Sequence, residues 1–376
     1  MIPALEPAQL QGPAQKIAAP TAPPKLQEMA AKGIAPGVKP ADMVALLVIL
    51  SGNDRPPVVK ETAEKTLAAL PEPLLNGALA VGDLHPAVIE ALARAYPERL
   101  DVLEKLISMP QIHGETVEEL ARTGSETVTE LIATNEDRLL KNQRIIELLY
   151  MNKRTRMSTA DRLIDLAVRN GLTLTGIPAF KEAAAAIQDE LIPMASDEPT
   201  PDDLLFQETL ELAERLAAVS AADEDTHHLT ETGEEEVDDK FAPLYVRIAN
   251  MTMSQKVRRA ILGTKEERMM LVRDRNRVVA TAAIRSPLLQ ENEVVLISRN
   301  RNMSEDVLRV IATSPEWTKS YGVKKNLIEN PKTPTTISTR MITQLREADL
   351  RHLAKNKNVP GAVQEAARRH LGRRNS

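Results

Sequence analysis

LISRNRNMSEDVLRVIATSPEWTKSYGVKKNLIEN, residues 296–330, is the stretch whose reading decides the fold. An apolar-rich segment closes on Asn300 and a polar cluster follows. A Val-led amphipathic segment then runs to Ser314-Pro315, and a further segment closes on Asn330. Asn tolerates the left-handed conformation in which many helices end, so each Asn reads as a helix stop. The same phrase ends LIATN (131–135), LLYMN (148–152), LAVRN (166–170) and HLAKN (352–356), each with an apolar residue three before the Asn. Stops repeated this regularly predict short helices stacked in series.

The helix starts repeat as well. Helix-opening apolar positions fall at Val58, Val88, Val117 and Ile145, in steps of 30, 29 and 28, and again at Val278, Val307, Ile337 and Val363, in steps of 29, 30 and 26. Second-helix positions interleave with them: Leu75, Leu103 and Val128 early, Val295, Val323 and Leu350 late. Asn300, Asn330 and Asn356 each precede the next opening position by seven residues. A fixed period of roughly 26–30 residues marks a helical-hairpin repeat in which each copy buries its apolar face against its neighbours. The predicted fold class is all-α, an α-solenoid of short helical hairpins in two arrays.

Composition agrees. The 376 residues are 43% hydrophobic but only 2% aromatic, so Leu, Ile, Val, Ala and Met must fill the helix seams. No run of alternating β-branched and aromatic residues predicts a strand. With no Cys, disulfides and thiolate metal sites are excluded, which fits a reducing compartment. The N-terminus MIPALEPAQL lacks the pattern of a signal peptide, and MVALLVIL (43–50) is too short to span a bilayer. These features predict a soluble, cytoplasmic protein.

Charge divides the chain. Residues 1–40 hold eight Pro among Ala, Gln and Gly and predict a mobile tail. Residues 41–188 form the first helical array, with PPVV (56–59), HPAV (85–88) and GETV (114–117) opening first helices and Asn170-Gly171 closing the last. Residues 189–240 carry 18 acidic side chains against Arg215 and Lys240. They predict an acidic linker with one amphipathic helix at about 202–219, followed by a disordered run. Residues 241–376 reverse the sign, with 26 Lys and Arg against 12 Asp and Glu, and form a basic second array.

The second array resembles HEAT-like α-solenoids, and more closely the leucine-rich-repeat-variant type found in bacteria. The segments that carry the resemblance are RVVATAAIRSP (277–287), SRNRNMSEDVLRVIATSP (298–315), IENPKTPTTISTRMI (328–342) and AKNKNVPGAVQEAARRHL (354–371). The full Asn-Pro-x-Thr-Pro turn of that family's repeat junction appears once, at Asn330 to Pro334. The resemblance implies a fold and a habit of binding macromolecules, with no shared activity. The Cys-ligated cluster associated with some repeat-variant proteins cannot carry over to a chain without Cys.

Catalytic signals are missing from the sequence. His227-His228 lies among Glu231, Glu234, Glu235 and Glu236, but adjacent side chains in a polar run lack preformed metal geometry. ILGTKEE (261–267) lacks the first half of a phosphate loop, and no nucleophile elbow occurs. Carboxylate pairs such as Glu118-Glu119 and Glu266-Glu267 read as solvated helix faces, Met251, Met253, Met269 and Met270 as core filler, and no cofactor or metal site is predicted.

The basic second array carries the functional expectation. Arg285, Arg299, Arg301, Lys332, Lys355 and Lys357 lie at or beside helix ends, with Lys324 and Lys325 nearby. Cations at helix C-termini complement the dipole. Stacked along one edge of a solenoid, they would also form a stripe attractive to an acidic protein partner or a phosphate backbone. Few stacking aromatics accompany them, Trp317 and Tyr321 being the ones after residue 246, which weighs against nucleic acid. The sequence therefore reads as a non-catalytic scaffold or adaptor for another protein, with a nucleic-acid-binding solenoid as the alternative. The acidic linker, tethered to the basic array, is expected to contact it intramolecularly.

Overall fold

The computed structural model describes residues 2–188, 190, 192–219, 227–229, 235–237 and 241–374, and these are all-helical apart from one short strand pair. The chain divides into two compact units, residues 1–159 and 160–376, with the division inside one helix. In each unit short helices pack in succession, an arrangement compatible with an α-solenoid.

The first unit contains α1 (Gly12–Ala18), α2 (Pro24–Ala31), α3 (Pro40–Leu50), α4 (Pro57–Ala68), α5 (Glu72–Leu79) and α6 (Pro86–Ala95). It continues with α7 (Leu100–Ser108), α8 (Gly114–Thr123), α9 (Glu126–Ala133), α10 (Glu136–Lys141), α11 (Gln143–Met151) and the start of α12 (Met157–Arg169). Alternate helices touch in order: α3 against α5, α4 against α6, α5 against α7, α6 against α8 and α7 against α9. Leu75, Leu103 and Val128 are fully buried in these seams, each contributing about 1.5–3 kcal/mol. At the first opening position the register is one residue later than the sequence reading: Val58 is 66% exposed and Val59 is buried. With Val59 the spacing to Val88 becomes the same as that from Val88 to Val117.

Residues 1–40 are corrected from a mobile tail to packed helix. Leu10, Ala14, Ile17, Ala18, Ala30 and Ala31 are buried, and the Arg55 guanidinium donates to the Ala18 carbonyl at 2.6 Å. Gln27 Nε2 donates to the carbonyl of Ala19 at 3.1 Å, and Thr66 Oγ1 to that of Ala31 at 2.6 Å. The composition misleads because Pro7, Pro13, Pro24 and Pro40 start helices instead of breaking them. Pro occupies the first turn of α1, α2, α3, α4, α5 and α6, where its fixed φ suits the helix and its missing N–H costs nothing.

The second unit continues α12 and adds α13 (Phe180–Ala186), α14 (Pro201–Val219), α15 (Ala242–Ala249), α16 (Met253–Leu262), α17 (Lys265–Leu271) and α18 (Arg277–Ile284). Then follow α19 (Glu291–Arg299), α20 (Glu305–Thr313), α21 (Tyr321–Glu329), α22 (Thr335–Met341), α23 (Glu347–Leu353) and α24 (Gly361–Arg374). The alternate packing recurs: α16 against α18, α17 against α19, α18 against α20, α19 against α21 and α22 against α24. Val279 and Val294 are buried here, one residue from the expected Val278 and Val295.

Two expected boundaries move. α13, read as the end of the first array, packs on α16 and α18 of the second unit. α14, read as a linker helix, packs on α15 and α17 and buries Phe206, Thr209, Leu210 and Ala213. Acidic residues of this region do meet basic-region partners: Glu208 pairs with Arg247 at 3.0 Å, and Glu190 accepts from Ser254. These contacts fall on α15 and α16, away from the predicted edge cations. His227–Leu229 and Glu235–Val237 pair antiparallel, His227 opposite Val237, where no strand is predicted. The rest of the expected disordered run, residues 220–226, 230–234 and 238–240, lies outside the described residues.

Four of the six Asn stops stand, while Asn135 instead opens α10 as its N-cap and Asn356 lies three residues past the end of α23; the mechanism also differs from expectation. α11, α12, α19 and α21 end immediately before Asn152, Asn170, Asn300 and Asn330. No non-glycine residue among those described has positive φ; Asn152, Asn300 and Asn330 are extended, with ψ of 117–119°. Only the Asn170 stop uses the left-handed region, and Gly171 supplies it at φ 65°, letting Leu172 N–H reach the Ala167 carbonyl at 2.9 Å. Two of the other Asn side chains, those of Asn152 and Asn330, bond backwards along the chain. Asn152 Nδ2 donates to the carbonyls of Ala121 and Gly124, both at 3.0 Å, and Asn330 Nδ2 to those of Ser298 and Asn300, both at 2.9 Å. Each amide therefore pins its helix end to the hairpin before it.

Candidate functional site

In the second unit the junctions that leave α17, α19, α21 and α23 share one local design. Asn276 N–H donates to Asp274 Oδ1 at 2.7 Å, Asn302 N–H to Asn300 Oδ1 at 2.8 Å, Lys332 N–H to Asn330 Oδ1 at 3.0 Å and Asn358 N–H to Asn356 Oδ1 at 2.9 Å. This is a side-chain-closed turn, in which the short Asx carboxyl or amide satisfies the main-chain donor two residues on. The residue just after the Asx is Arg275, Arg301 or Lys357 in three turns; in the fourth Pro331 takes that place and Lys332 follows. All four of these cations are exposed.

Three of the junctions line a single open groove of about 730 Å³, formed by residues 272–275, 302–305 and 331–336. Its two carboxylates are already opposed, Asp274 by Lys256 at 3.7 Å and Glu305 by Arg309. The groove thus presents the exposed cations Arg275 and Lys332 among main-chain and hydroxyl groups. Such a surface steers and orients an anionic partner.

The eight cations expected to form one edge do not stay together. Arg299, Arg301, Lys332, Lys355 and Lys357 are exposed at the α19–α20, α21–α22 and α23–α24 junctions and form no ion pair among the described residues. Arg285 caps α18 at the other kind of junction, the turn into α19, and faces Glu182 at 3.6 Å. Lys324 and Lys325 lie within α21. Lys324 reaches Gln344 at 3.2 Å, and Lys325 holds Asp349 of α23 at 2.7 Å. Asp349 also accepts from the Tyr321 hydroxyl at 2.5 Å, and the Arg346 guanidinium lies 4.6 Å from the Tyr321 ring centre. Lys325 and Tyr321 together hold the Asp349 carboxyl below its usual range, while the hydrogen bond to Asp349 raises the Lys325 ammonium. Lys325 is a tether between helices.

Sequence reading missed Arg273 and Arg275. Their signal was Asp274, which stands in for Asn at the first turn of the series; an Asn-only pattern passes over it. It also missed a buried polar centre. Glu266 and Glu267, read as solvated, are buried, and Glu267 pairs with fully buried Arg259 while Arg268 pairs with Glu293 at 2.5 Å. Arg258 and Arg259 lie 5.1 Å from the Phe206 ring centre. Ser254 Oγ donates to Glu190 at 2.6 Å and lies 3.3 Å from Asp161 Oδ2. Desolvation and then the Glu190 charge push Asp161 up to about 8, with Arg258 pulling the other way.

No helix among the described residues is long and apolar enough to cross a membrane. No protein-family model matches the chain, and no curated protein matches it either.

Proposed function

We propose that this chain is a non-catalytic scaffold or adaptor of the HEAT-like, leucine-rich-repeat-variant kind, acting in the bacterial cytoplasm, which engages an acidic protein segment along its basic junctions. The observation that carries this reading is the groove built from three successive junctions whose repeated turn projects exposed cations. Rigid turns on stacked helices fix the spacing of those charges, so a partner is selected by the interval between its carboxylates as well as by their number. Electrostatic steering raises the association rate, and the hydroxyl-lined groove sets register.

The test compares co-purification from native cells using the wild-type chain and a chain carrying Arg299→Glu, Arg301→Glu, Lys332→Glu, Lys355→Glu and Lys357→Glu. Loss of a stoichiometric protein partner supports the reading, and an unchanged partner set rejects it. Retention of nucleic acid by the wild-type chain, with log affinity falling linearly in log salt, would replace the protein partner with a phosphate backbone.

A further inference from the structure

A second groove, of about 380 Å³, lies between α18 and α20 beside α13. Helical spacing builds it. Val278, Thr281 and Arg285 share one face of α18, and Asp306 and Val310, four apart, share one face of α20. Val278 and Val310 are half-buried with no helix of the described residues laid across them, and Ala185 of α13 forms the side wall. Cations border this apolar strip: Lys181, Arg277, Arg285 and Arg309. Of the two carboxylates present, Asp306 is opposed by Arg277 at 3.4 Å and Glu182 by Arg285 at 3.6 Å. Glu182 Oε2 is shielded from solvent and has no hydrogen-bond partner among the described residues.

The molecule itself displays the kind of element that fits such a groove. α13, FKEAAAA, rests on α16 and α18 and buries Ala183 and Ala186, residues three apart on one helix face. α18 packs directly on α20 as α16 packs on α18, so the face that α13 covers continues onto the next hairpin. Over α16 and α18 the face is filled by a short helix with small buried residues. Over α18 and α20 it is open and bordered by positive charge.

We infer that the α18–α20 groove binds a short amphipathic helix of a partner protein, with Ala-sized residues at three- and four-residue spacing facing Val278, Thr281 and Val310 and Asp or Glu on its flanks. Small residues let the incoming backbone approach closely, as Ala183 and Ala186 do for α13. Flanking carboxylates meet Lys181, Arg277 and Arg309, and a hydroxyl or free N–H on the helix satisfies Glu182 Oε2. Helix-in-groove recognition of this kind draws specificity from anchors at i, i+3 and i+4. The junction cations Arg301 and Lys332 lie outside this site, and the one side chain that links the two is Arg309, which also opposes Glu305 of the junction groove.

Three labelled peptides test the inference against the full chain by fluorescence anisotropy: a stapled Ala-rich helix with Glu flanks, the same helix with Lys flanks, and an unstapled Glu peptide of equal composition interrupted by Pro. The acidic helix is expected to bind saturably and at least about tenfold tighter than either control. Arg277→Glu with Arg309→Glu, both exposed positions, is expected to weaken it about tenfold or more, and the milder Arg277→Gln with Arg309→Gln several-fold. Arg301→Glu with Lys332→Glu, confined to the junction edge, should leave it unchanged. Absence of saturable binding, equal affinity for acidic and basic helices, or loss caused by the junction-edge variant in place of the groove variant overturns the inference.

Discussion

Asn330 Nδ2 donates to the carbonyl oxygen of Ser298 at 2.9 Å, joining residues 32 positions apart in adjacent hairpins. Asn152 does the same to Ala121, 31 positions back, in the first unit. One side chain thus closes its own turn with its oxygen and reads the previous hairpin with its nitrogen.

Replacing Asn330 with Ala removes both donated bonds and strands the buried Ser298 carbonyl, while the Asn300 carbonyl keeps the Met303 N–H at 3.3 Å, so the cost should be about 1–3 kcal/mol. Asn330→Asp keeps the turn-closing oxygen but sets a carboxylate against two carbonyls, so it should cost more than Ala. Urea unfolding of the three chains checks the order. An alanine chain within about 0.5 kcal/mol of wild type would remove the ladder from the account.

Gly263 separates α16 from α17, and a Cβ there would lie 2.4 Å from the Arg259 carbonyl oxygen and 2.7 Å from Glu267 Oε2. Gly263→Ala should therefore destabilise by about 1–3 kcal/mol, since the obstruction is backbone that cannot rotate away. Gly361, at the start of α24, has open space around it, and Gly361→Ala should be neutral or mildly stabilising. Thermal melts of both variants decide the point, and equal losses would contradict it.

The Arg259–Glu267 pair is almost completely shielded from water. Glu267→Ala strands a buried guanidinium and should cost about 3–5 kcal/mol. In the double variant Arg259→Met with Glu267→Leu the stranded charge is gone, so part of that loss returns, although the Glu267 bond to the Thr264 N–H at 2.8 Å stays lost. A double-mutant cycle measures the coupling; simple additivity of the two single changes would argue against a mutually dependent pair.

Asp161 gives a pH signature. Its folded pKa of about 8 stands above the unfolded value of 3.8, so between those limits the folded chain holds a proton that the unfolded chain releases. Its contribution is most favourable below pH 3.8 and is lost progressively as pH rises towards 8. Asp161→Asn mimics the neutral form and removes that slope. Because the residue keeps partial exposure, the gain above neutral pH should be about 1–3 kcal/mol. Stability curves of the two chains that run parallel from acid to alkaline pH would show that Asp161 does not titrate in this way.

Helix positions were legible because apolar period and stop residues are local properties. QRIIELLYMN became α11, and LDVLEKLI became α7. What escaped depends on partners distant in sequence. Whether Glu267 is solvated or buried turns on Arg259 facing it, and Lys325 reads as a free edge cation until Asp349 of α23 arrives beside it. Eight prolines in 40 residues looked like disorder because composition records how often Pro occurs and ignores where in a helix it sits. At the candidate site, the stacking of junctions was readable from their period. Arg285 was misplaced because helix ends alternate between two edges, and the pattern used did not track which.

Contacts between near neighbours in sequence also govern how the molecule can be made. In the first unit each hairpin finds its docking partner about thirty residues upstream, so consolidation can keep pace with synthesis as the ribosome releases the chain. The second unit cannot finish that way, because Asp161 meets Ser254 only after 93 further residues have emerged. Until then α12 carries a half-made polar contact. That interval is the window in which a chaperone would have the most surface to hold.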